Sequence, residues 1–322
     1  MRKTRLGTGL LALALLALAL VAAGCGSSSD NGGGSSGGGS SGSKTATPGI
    51  NVAKDPKVAS EVPKSIASKG TLVVAADATY APNEFIASDG HTVLGMDADL
   101  AKAIAQAMGL KAKVQNITFD SIIPGLAANK YDLGMSSFTV TKEREKTVDF
   151  VSYAVAGTSF FVKADGGPNI QSLADLCGRS VAAERGTTQA SDATTQDKKC
   201  KAAGKPGVSV QVFPDQNAVN LALASGRADV DMSDSPPAAY AVEQSNGQFK
   251  LSGIQYGAAA YGIAIPKGNG MAKPVLDALK NVMADGTYQR IFTYWGLVKK
   301  GAAGCPCTIT NPQTNPQNVP AN

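Results

Sequence analysis

The sequence predicts an α/β protein in which parallel sheets are flanked by helices. Strand-like and helix-like segments alternate along a body of about 230 residues, which is enough for one large domain or two lobes. Such alternation is typical of parallel sheets with helices on their faces. Polar and charged residues also follow several strand-like runs, and open α/β sheets bind their ligands at the carboxyl ends of their strands.

The first half of the body opens with TLVVAAD (71–77), a β-rich run that predicts a strand ending at an acid. The segment 97–109 places Leu100, Ile104 and Met108 four residues apart, with acids in the first turn and a glycine at the end, and so predicts a helix. Three further elements are predicted in this half: a strand in KAKVQNITF, a short helix in SIIPGLAANK and a strand in YDLGMSSF.

The second half repeats the alternation. The predicted strands are RSVAAE, VSVQVF, ADVDMS and AYGIAIPKG. The predicted helices between and after them are QASDATTQDKKCKAAG, NAVNLALASG, SPPAAYAVEQ and the segments within GMAKPVLDALKNVMADGTYQRIFTYWG. The prolines of SPPAAYAVEQ suit the first turn of a helix, where no backbone donor is needed.

The first residues predict a secretory signal peptide over 1–24. Three basic residues precede an apolar run over 10–23, which is shorter than the roughly 20 residues that a membrane-spanning helix needs. The run ends in AAGC, which resembles a bacterial lipobox, although Ala22 stands where leucine is usual. Cys25 is therefore expected to become the lipidated N-terminus, and an ordinary signal peptide cut nearby is the alternative.

Composition and charge indicate the character of the terminal segments and exclude one class of partner. Residues 25–60 are expected to form a Gly/Ser-rich tether, because GSSSDNGGGSSGGGSSGS has almost no side chains to bury, and a transitional stretch begins at residue 44. Residues 301–322 are expected to form a polar, Pro- and Asn-rich tail. The net charge of +5 falls to 5 − 3 = +2 once the signal peptide leaves. There is no basic stripe with interleaved aromatics, so nucleic acid is not an expected partner.

Four cysteines remain after Cys25 is assigned to the lipid, and outside the cytoplasm an even number indicates disulfides. Cys177 and Cys200 bracket one segment and are expected to pair. A bridge between Cys305 and Cys307 would close a strained loop, so the state of that pair stays open. Zinc binding by the four cysteines is disfavoured because only two of them lie close in sequence, and no metal or cofactor is expected.

The stretch MSSFTVTKERE (135–145) concentrates hydroxyls before a guanidinium. The side chains of Ser136, Ser137, Thr139 and Arg144 would suit the capture of a small anion such as a carboxylate. The alternative is a capped loop, in which Thr141 is the N-cap of a short helix and the arginine is solvated.

Other polar or aromatic residues fall at comparable places, at or just after predicted strands. In the first half these are Asp77, Tyr80 and Phe119, the last of which is predicted to end a strand. In the second half they are Glu184, Thr187, Thr188, Gln189, Ser233 and Asp234. Their shared position at strand ends favours a binding site over ordinary turn chemistry.

Five motifs occur in fixed order: DATYAPNEF, GMDADLAKAIA, FDSIIPGLAANKYDLGMSSFTVTKERE, RGTTQ and SGRADVDMSD. They resemble the polar amino-acid family of solute-binding proteins that serve ABC importers, over roughly residues 68–298. The resemblance implies a two-lobed periplasmic-binding-protein-like (type II) fold, with two hinge strands and a ligand cleft between the lobes. Lobe 1 would then comprise 61–156 and 263–300, and lobe 2 would comprise 157–262.

The resemblance also assigns roles at the amino-acid head group. Arg144 would bind the ligand α-carboxylate, with Ser137, Thr139 and Thr188 adding donors. Asp234 would accept from the α-ammonium. The remaining expected lining residues are Ser136, Thr187 and Gln189.

For the ligand side chain, Tyr80 and Phe119 match the aromatic pair that sandwiches it, with core packing as the alternative. Asp77 and Glu184 together would favour a cationic amino acid, arginine or lysine. Glutamine or another polar amino acid remains open, because an acid also accepts from an amide and Arg185 is placed to neutralise Glu184.

The implied protein is a monomeric, lipid-anchored, extracytoplasmic receptor that is not an enzyme. Its partner would be a permease with a separate ATPase subunit, because the chain has no Walker-type loop. Two alternatives stay open on the same fold: an enzyme like cyclohexadienyl dehydratase, and an amino-acid sensor with a separate signalling partner. His91, the single histidine, lies in a predicted hairpin turn, so a hydrolase triad is disfavoured.

Overall fold

The computed structural model of the chain describes residues 45–297. The predicted signal peptide, Cys25, most of the tether, the Cys305 and Cys307 pair and the predicted tail lie outside the described residues. Residues 45–60 of the predicted tether are described, and they belong to the folded body: Ile50, Val52 and Val58 are buried in the core of lobe 1. Within 45–297 no helix combines the length and the apolar character that crossing a bilayer requires.

The strands match the predicted positions with two additions. They are β1 (Thr71–Ala76), β2 (Thr79–Tyr80), β3 (Glu84–Ile86), β4 (Val93–Leu94), β5 (Lys111–Asn116), β6 (Leu133–Gly134), β7 (Val148–Lys163), β8 (Ser180–Glu184), β9 (Ser209–Phe213), β10 (Val230–Asp234) and β11 (Phe249–Pro266). The additions are β7, which the sequence analysis did not assign, and the small sheet of β2, β3 and β4. The strand predicted in AYGIAIPKG is the second half of β11.

The predicted helices are all present, and the first two helices of the structure are additions that were not predicted. The helices are α1 (Pro56–Glu61), α2 (Lys64–Ala67), α3 (Met96–Ala107), α4 (Phe119–Ala127), α5 (Lys142–Glu145), α6 (Thr188–Ala202), α7 (Gln216–Ser225), α8 (Ser235–Gln244), α9 (Ala272–Ala284) and α10 (Thr287–Tyr294), with a 3₁₀ turn at Leu173–Leu176. Gly95 allows α3 to begin where it does: its φ is +122°, and a Cβ there would lie 2.2 Å from the Asn83 carbonyl oxygen.

Eight strands form one mixed sheet in the order β5-β1-β6-β11-β7-β10-β8-β9. The prediction of purely parallel sheets was wrong at its centre. The three strands on each side run parallel to one another, whereas β7 and β11 pair antiparallel with each other and with the strands beside them.

β7 and β11 are the two hinge strands of the two-lobed fold. They are paired from Phe249 opposite Lys163 to Pro266 opposite Val148, with register shifts between Ser252 and Ala259. Register shifts of this kind bend the strands, and the two strands pass from one lobe to the other in this region. The predicted boundaries at 156 and 262 lie within the two strands, and Ala156 is paired with Ala259.

Each lobe has its own hydrophobic core, which is why the molecule divides in two. In lobe 1, α3 buries Leu100 and Ile104 fully against α9 and α10. In lobe 2, Phe160, Val181 and Val230 form a separate cluster under α6.

Phe119 was predicted to end a strand, and the structure corrects this. The strand β5 ends at Asn116, and Phe119 is the first residue of α4. The first turn of a helix has backbone donors without intrahelical acceptors. The Asp77 carboxylate is an acceptor for one of these donors: it accepts a hydrogen bond from the Phe119 backbone nitrogen at 2.8 Å.

The structure contains the predicted disulfide between Cys177 and Cys200, whose Cα atoms are 5.6 Å apart. It ties the segment after the 3₁₀ turn to α6, and Cys200 is buried in the lobe 2 core. Replacing both cysteines by alanine should lower the free energy of unfolding by about 3 kcal/mol, because the bridge restricts the unfolded chain. Urea unfolding followed by circular dichroism measures the difference.

The same experiment in dithiothreitol provides the control. The wild-type protein should fall to the stability of the double variant, and the variant should not respond. Equal stabilities of the oxidised wild-type protein and the variant would contradict the prediction.

Candidate functional site

One cavity lies where the two lobes meet, and all twelve predicted site residues line it. These are Asp77, Tyr80, Phe119, Ser136, Ser137, Thr139, Arg144, Glu184, Thr187, Thr188, Gln189 and Asp234. The cavity has a volume of about 300 Å³, which includes space open to solvent. Glu84, which the sequence analysis missed, also lines it.

Arg144 reaches the cavity from a capped turn. Thr141 is the N-cap of α5 and accepts from the Arg144 backbone nitrogen at 3.2 Å, as the capped-loop alternative proposed. The arginine side chain, however, is not solvated. Its guanidinium donates to the carbonyl oxygens of Thr139 at 2.7 Å and Gly186 at 3.0 Å and lies 5.2 Å from the centre of the Phe119 ring. Burial lowers the pKa of Arg144 to about 10, so it remains a cation at neutral pH.

Asp234 ends β10 with both carboxylate oxygens occupied. Oδ1 accepts from the Gln189 side-chain amide at 2.7 Å, and Oδ2 accepts from the Tyr261 hydroxyl at 2.7 Å. Burial raises the pKa of Asp234 to about 6, against the effect of these hydrogen bonds, so the group is mostly ionised at neutral pH. Tyr261 was not predicted, because it lies on the hinge strand β11 and no motif marks it.

The remaining threonines have mixed roles. Thr187 is the N-cap of α6: its hydroxyl accepts from the Ala190 backbone nitrogen at 3.2 Å and donates to the Glu184 carbonyl oxygen at 2.7 Å. The Thr188 hydroxyl donates to the Gln189 side-chain oxygen at 3.2 Å. The Thr187 hydroxyl therefore serves the helix and the end of β8, although the residue lines the cavity.

Asp77 and Glu184 supply two carboxyl groups to the cavity, and each is only 3 % exposed. Asp77 accepts from the Thr79 hydroxyl at 2.7 Å in addition to the Phe119 backbone nitrogen. Burial first, and then the neighbouring charge of Asp77, raises the pKa of Glu184 to about 10. Glu184 is therefore protonated at neutral pH. Burial also raises the pKa of Asp77, while hydrogen bonds oppose the shift.

Arg185 does not neutralise Glu184, which the sequence analysis had left open. Its side chain is 55 % exposed and its guanidinium lies 3.7 Å from the Asp120 carboxylate on the opposite lobe. Gly186 follows with a φ of +80°, and a Cβ on it would meet the Asp120 side chain at 3.0 Å. A glycine at this point permits the close approach of the lobes.

The two serines rest on a buried acidic pair. The Ser136 hydroxyl donates to Glu84 Oε1 at 3.0 Å, and the Ser137 backbone nitrogen donates to Asp97 Oδ2 at 2.8 Å. Ser137 has a φ of +51°, which is uncommon for a residue other than glycine. Burial raises the pKa of Asp97 to about 6, and burial together with the Asp97 charge raises that of Glu84. The serine hydroxyls are thereby fixed in place.

Two further hydrogen bonds join the lobes beside the cavity. The Asp234 backbone nitrogen donates to the Tyr80 hydroxyl oxygen at 2.7 Å, and the Gln216 backbone nitrogen donates to the Thr79 hydroxyl oxygen at 3.1 Å. His91 is exposed in the turn between β3 and β4, away from these groups.

The site thus combines one guanidinium, one ionised carboxylate, aromatic rings and a carboxyl pair. The guanidinium and the ionised carboxylate complement a carboxylate and an ammonium group. The rings and the carboxyl pair complement a flat or cationic group.

Residues 72–298 match the family model of the bacterial extracellular solute-binding proteins, family 3. The arginine-binding protein ArgT of Corynebacterium glutamicum is 32 % identical over 243 residues, covering 75 % of this chain and 79 % of that protein. The ABC transporter glutamine-binding protein GlnH of Bacillus subtilis is 33 % identical over 207 residues, covering 62 % and 72 %.

Solved structures agree with these relatives. An ancestral arginine-binding protein bound to arginine has a TM-score of 0.64 and 37 % identity, covering 70 % of this chain and 98 % of that chain. A structure of such an ancestral protein bound to glutamine has a TM-score of 0.63 and 38 % identity, covering 70 % and 97 %.

The pKa of Glu184 leads to a test of its protonation. A glutamate ionises near pH 4.5 when exposed, as in the unfolded chain, but only near pH 10 in the folded protein. The folded state therefore holds one more proton between these values, and its stability falls as the pH rises, by about 1.4 kcal/mol per pH unit for one proton. Glu184→Gln should remove this pH dependence. The difference between the free energy of unfolding of the variant and that of the wild-type protein should therefore increase, in favour of the variant, from pH 6 to pH 8.

Urea unfolding of the unliganded proteins across this pH range measures the difference. Glu243→Gln, which changes an exposed carboxyl group on α8, is the matched control and should parallel the wild-type protein. Parallel profiles for Glu184→Gln as well would mean that Glu184 is ionised in the folded protein.

Proposed function

The chain belongs to the bacterial extracellular solute-binding proteins of family 3, and from that premise we propose that it binds arginine or lysine and delivers it to an ABC importer. One observation carries the proposal. A single cavity is lined both by Arg144 and Asp234, which complement the groups common to all amino acids, and by the carboxyl groups of Asp77 and Glu184.

The head group of the ligand would bind where charges are already held. The α-carboxylate would take bidentate hydrogen bonds from Arg144, in place of the carbonyl oxygens it now contacts, with donors from Ser137 and Thr139. The α-ammonium would donate to Asp234, which Gln189 and Tyr261 hold in place. Each charge-assisted hydrogen bond contributes about 1.5–3 kcal/mol net.

The ligand side chain would extend between Tyr80 and Phe119 towards Asp77 and Glu184. A guanidinium stacks on aromatic rings and donates to carboxylates, so arginine uses both features. Two facts favour a cation: Arg185 is engaged with Asp120 and does not neutralise Glu184, and the relatives include arginine-binding proteins. Glutamine is the second candidate, because relatives that bind it are similarly close.

The remaining proposals concern location and partners. We propose that residues 1–24 direct export, that lipidated Cys25 anchors the chain at the outer face of the cell membrane, and that the Gly/Ser-rich part of residues 25–60, before residue 45, tethers the body. The two lobes, 61–156 with 263–300 and 157–262, would close on the ligand. The closed monomer would then dock on a permease that has a separate ATPase subunit. Binding, without chemistry on the ligand, is the proposed activity.

Calorimetric titration of the purified chain, freed of bound ligand, tests this proposal with arginine, lysine, histidine, glutamine, glutamate and cystine. Arginine or lysine should bind tightly and glutamine more weakly. A preference for glutamine would keep the receptor function and reject the cationic ligand. If none of the amino acids binds, the receptor function fails, and turnover of prephenate or arogenate would test the dehydratase alternative.

Arg144→Ala should weaken binding of every amino acid by at least 2–3 kcal/mol, because it leaves the ligand carboxylate buried without a partner. The same titrations measure the loss. Arg290→Ala removes an exposed arginine from α10, outside the cavity lining, and is the matched control. Wild-type affinity in Arg144→Ala would overturn the assignment of the head-group site.

A further inference from the structure

Glu184 has an oxygen that the folded chain leaves unused. Its side chain lines the cavity and is 3 % exposed, yet Oε1 has no hydrogen-bond partner among the described residues. A buried polar atom without a partner is unfavourable, so it indicates a partner that arrives with the ligand. Within residues 45–297 no cluster of histidine, cysteine or acidic side chains is arranged to hold a metal ion, so a metal is not the indicated partner.

The groups around Glu184 are mainly acidic. Asp77 follows β1, Asp215 is the N-cap of α7 and Asp234 ends β10, and all three charges raise the pKa of Glu184. The other ionisable groups facing this part of the cavity are Tyr80 from β2, Glu84 from β3, Arg144 from α5 and, at the rim, the Arg185–Asp120 pair. Because the Glu184 carboxyl group is buried and the nearest charges are negative, it holds a proton until a positive charge replaces it.

We propose that Glu184 is a specificity residue that exchanges its proton for the ligand's charge: a cationic side chain binds with release of the proton, whereas an amide side chain binds with the proton in place. This inference rests on the proposed amino-acid-binding function. It assigns two ligand classes to one pocket and a distinct proton count to each.

Hydrogen-bond chemistry separates the two classes. With Glu184 protonated, the pair with Asp77 offers one O–H donor and one acceptor, which match the C=O and NH₂ groups of a glutamine side chain. A guanidinium has only donors, so it would leave the Glu184 O–H facing another donor. Once the O–H bond breaks and the proton passes to solvent, both carboxylates accept from the guanidinium.

Charge balance leads to the same result. In the unliganded protein the Glu184 carboxyl group is neutral, so its proton removes one negative charge from the acidic cluster. If a guanidinium or ammonium group takes its place and the proton leaves, the net charge of the buried cavity does not change. No buried charge is then left without a partner of opposite sign, which is the arrangement that a low-dielectric site favours.

Calorimetry counts the released protons. The purified chain is titrated at pH 7.5 with arginine and with citrulline, which has a nearly matched shape but no charge, in phosphate and in Tris, whose ionisation enthalpies differ. Arginine should release about one proton and citrulline or glutamine none. All three ligands share the α-groups, so any titration of Asp234 cancels in the comparison. Equal proton counts for arginine and the neutral ligands would overturn the inference.

The wild-type protein supplies a second measurement that needs no variant. The ratio of arginine affinity to glutamine affinity should rise with pH, by about tenfold per unit for one proton, between pH 6 and pH 8. A ratio independent of pH would refute the exchange. In Glu184→Gln the arginine-linked proton release should vanish and arginine affinity should fall more than glutamine affinity.

The outcomes also separate this inference from the proposed function. Binding of arginine and glutamine with equal proton counts rejects the exchange and keeps the receptor. Failure of every amino acid to bind in either buffer rejects the receptor, and the exchange with it.

Discussion

The antiparallel pairing of β7 with β11 is the constraint on which the rest of the structure depends. These strands are the centre of the only eight-stranded sheet formed by residues 45–297, and each continues from one lobe core into the other. Their pairing brings the ends of β8 and β10 opposite the first turns after β1 and β6. The cavity therefore exists only because two strands are shared, and residues more than 100 positions apart, such as Tyr80 and Asp234, come within hydrogen-bond distance.

Within that cavity one guanidinium faces several acids, and each acid is held differently. Asp234 is ionised because a tyrosine and an amide donate to it. Glu84 shares a buried environment with Asp97 and supports the serine hydroxyls. Glu184 keeps its proton because it is buried and its neighbours are acidic. Identical chemical groups thus have different functions through burial and hydrogen bonding alone, which is how one small site presents both acceptors and a donor.

Much of this could be predicted from the sequence, since the helices and the outer strands have clear periodicity and caps, and the twelve lining residues stand in recognisable motifs. The centre of the sheet could not be predicted from the sequence. The segment of β7 has no polar alternation, because both faces are buried, and its antiparallel partner is about 100 residues away. Tyr261 and Glu84 act through contacts that no local pattern encodes. Phe119 was misplaced because the acceptor that starts α4 is the side chain of Asp77, which is 42 residues earlier.

The contacts that close the cavity have a kinetic meaning. The hydrogen bonds from Asp234 to Tyr80 and from Gln216 to Thr79 join protein to protein and involve no ligand atom. A molecule bound between the lobes is released once these contacts break and the lobes part. The rate at which the lobes open is thus an upper limit on the dissociation rate of every ligand. Residence time and equilibrium preference are consequently controlled by different residues of the same cleft.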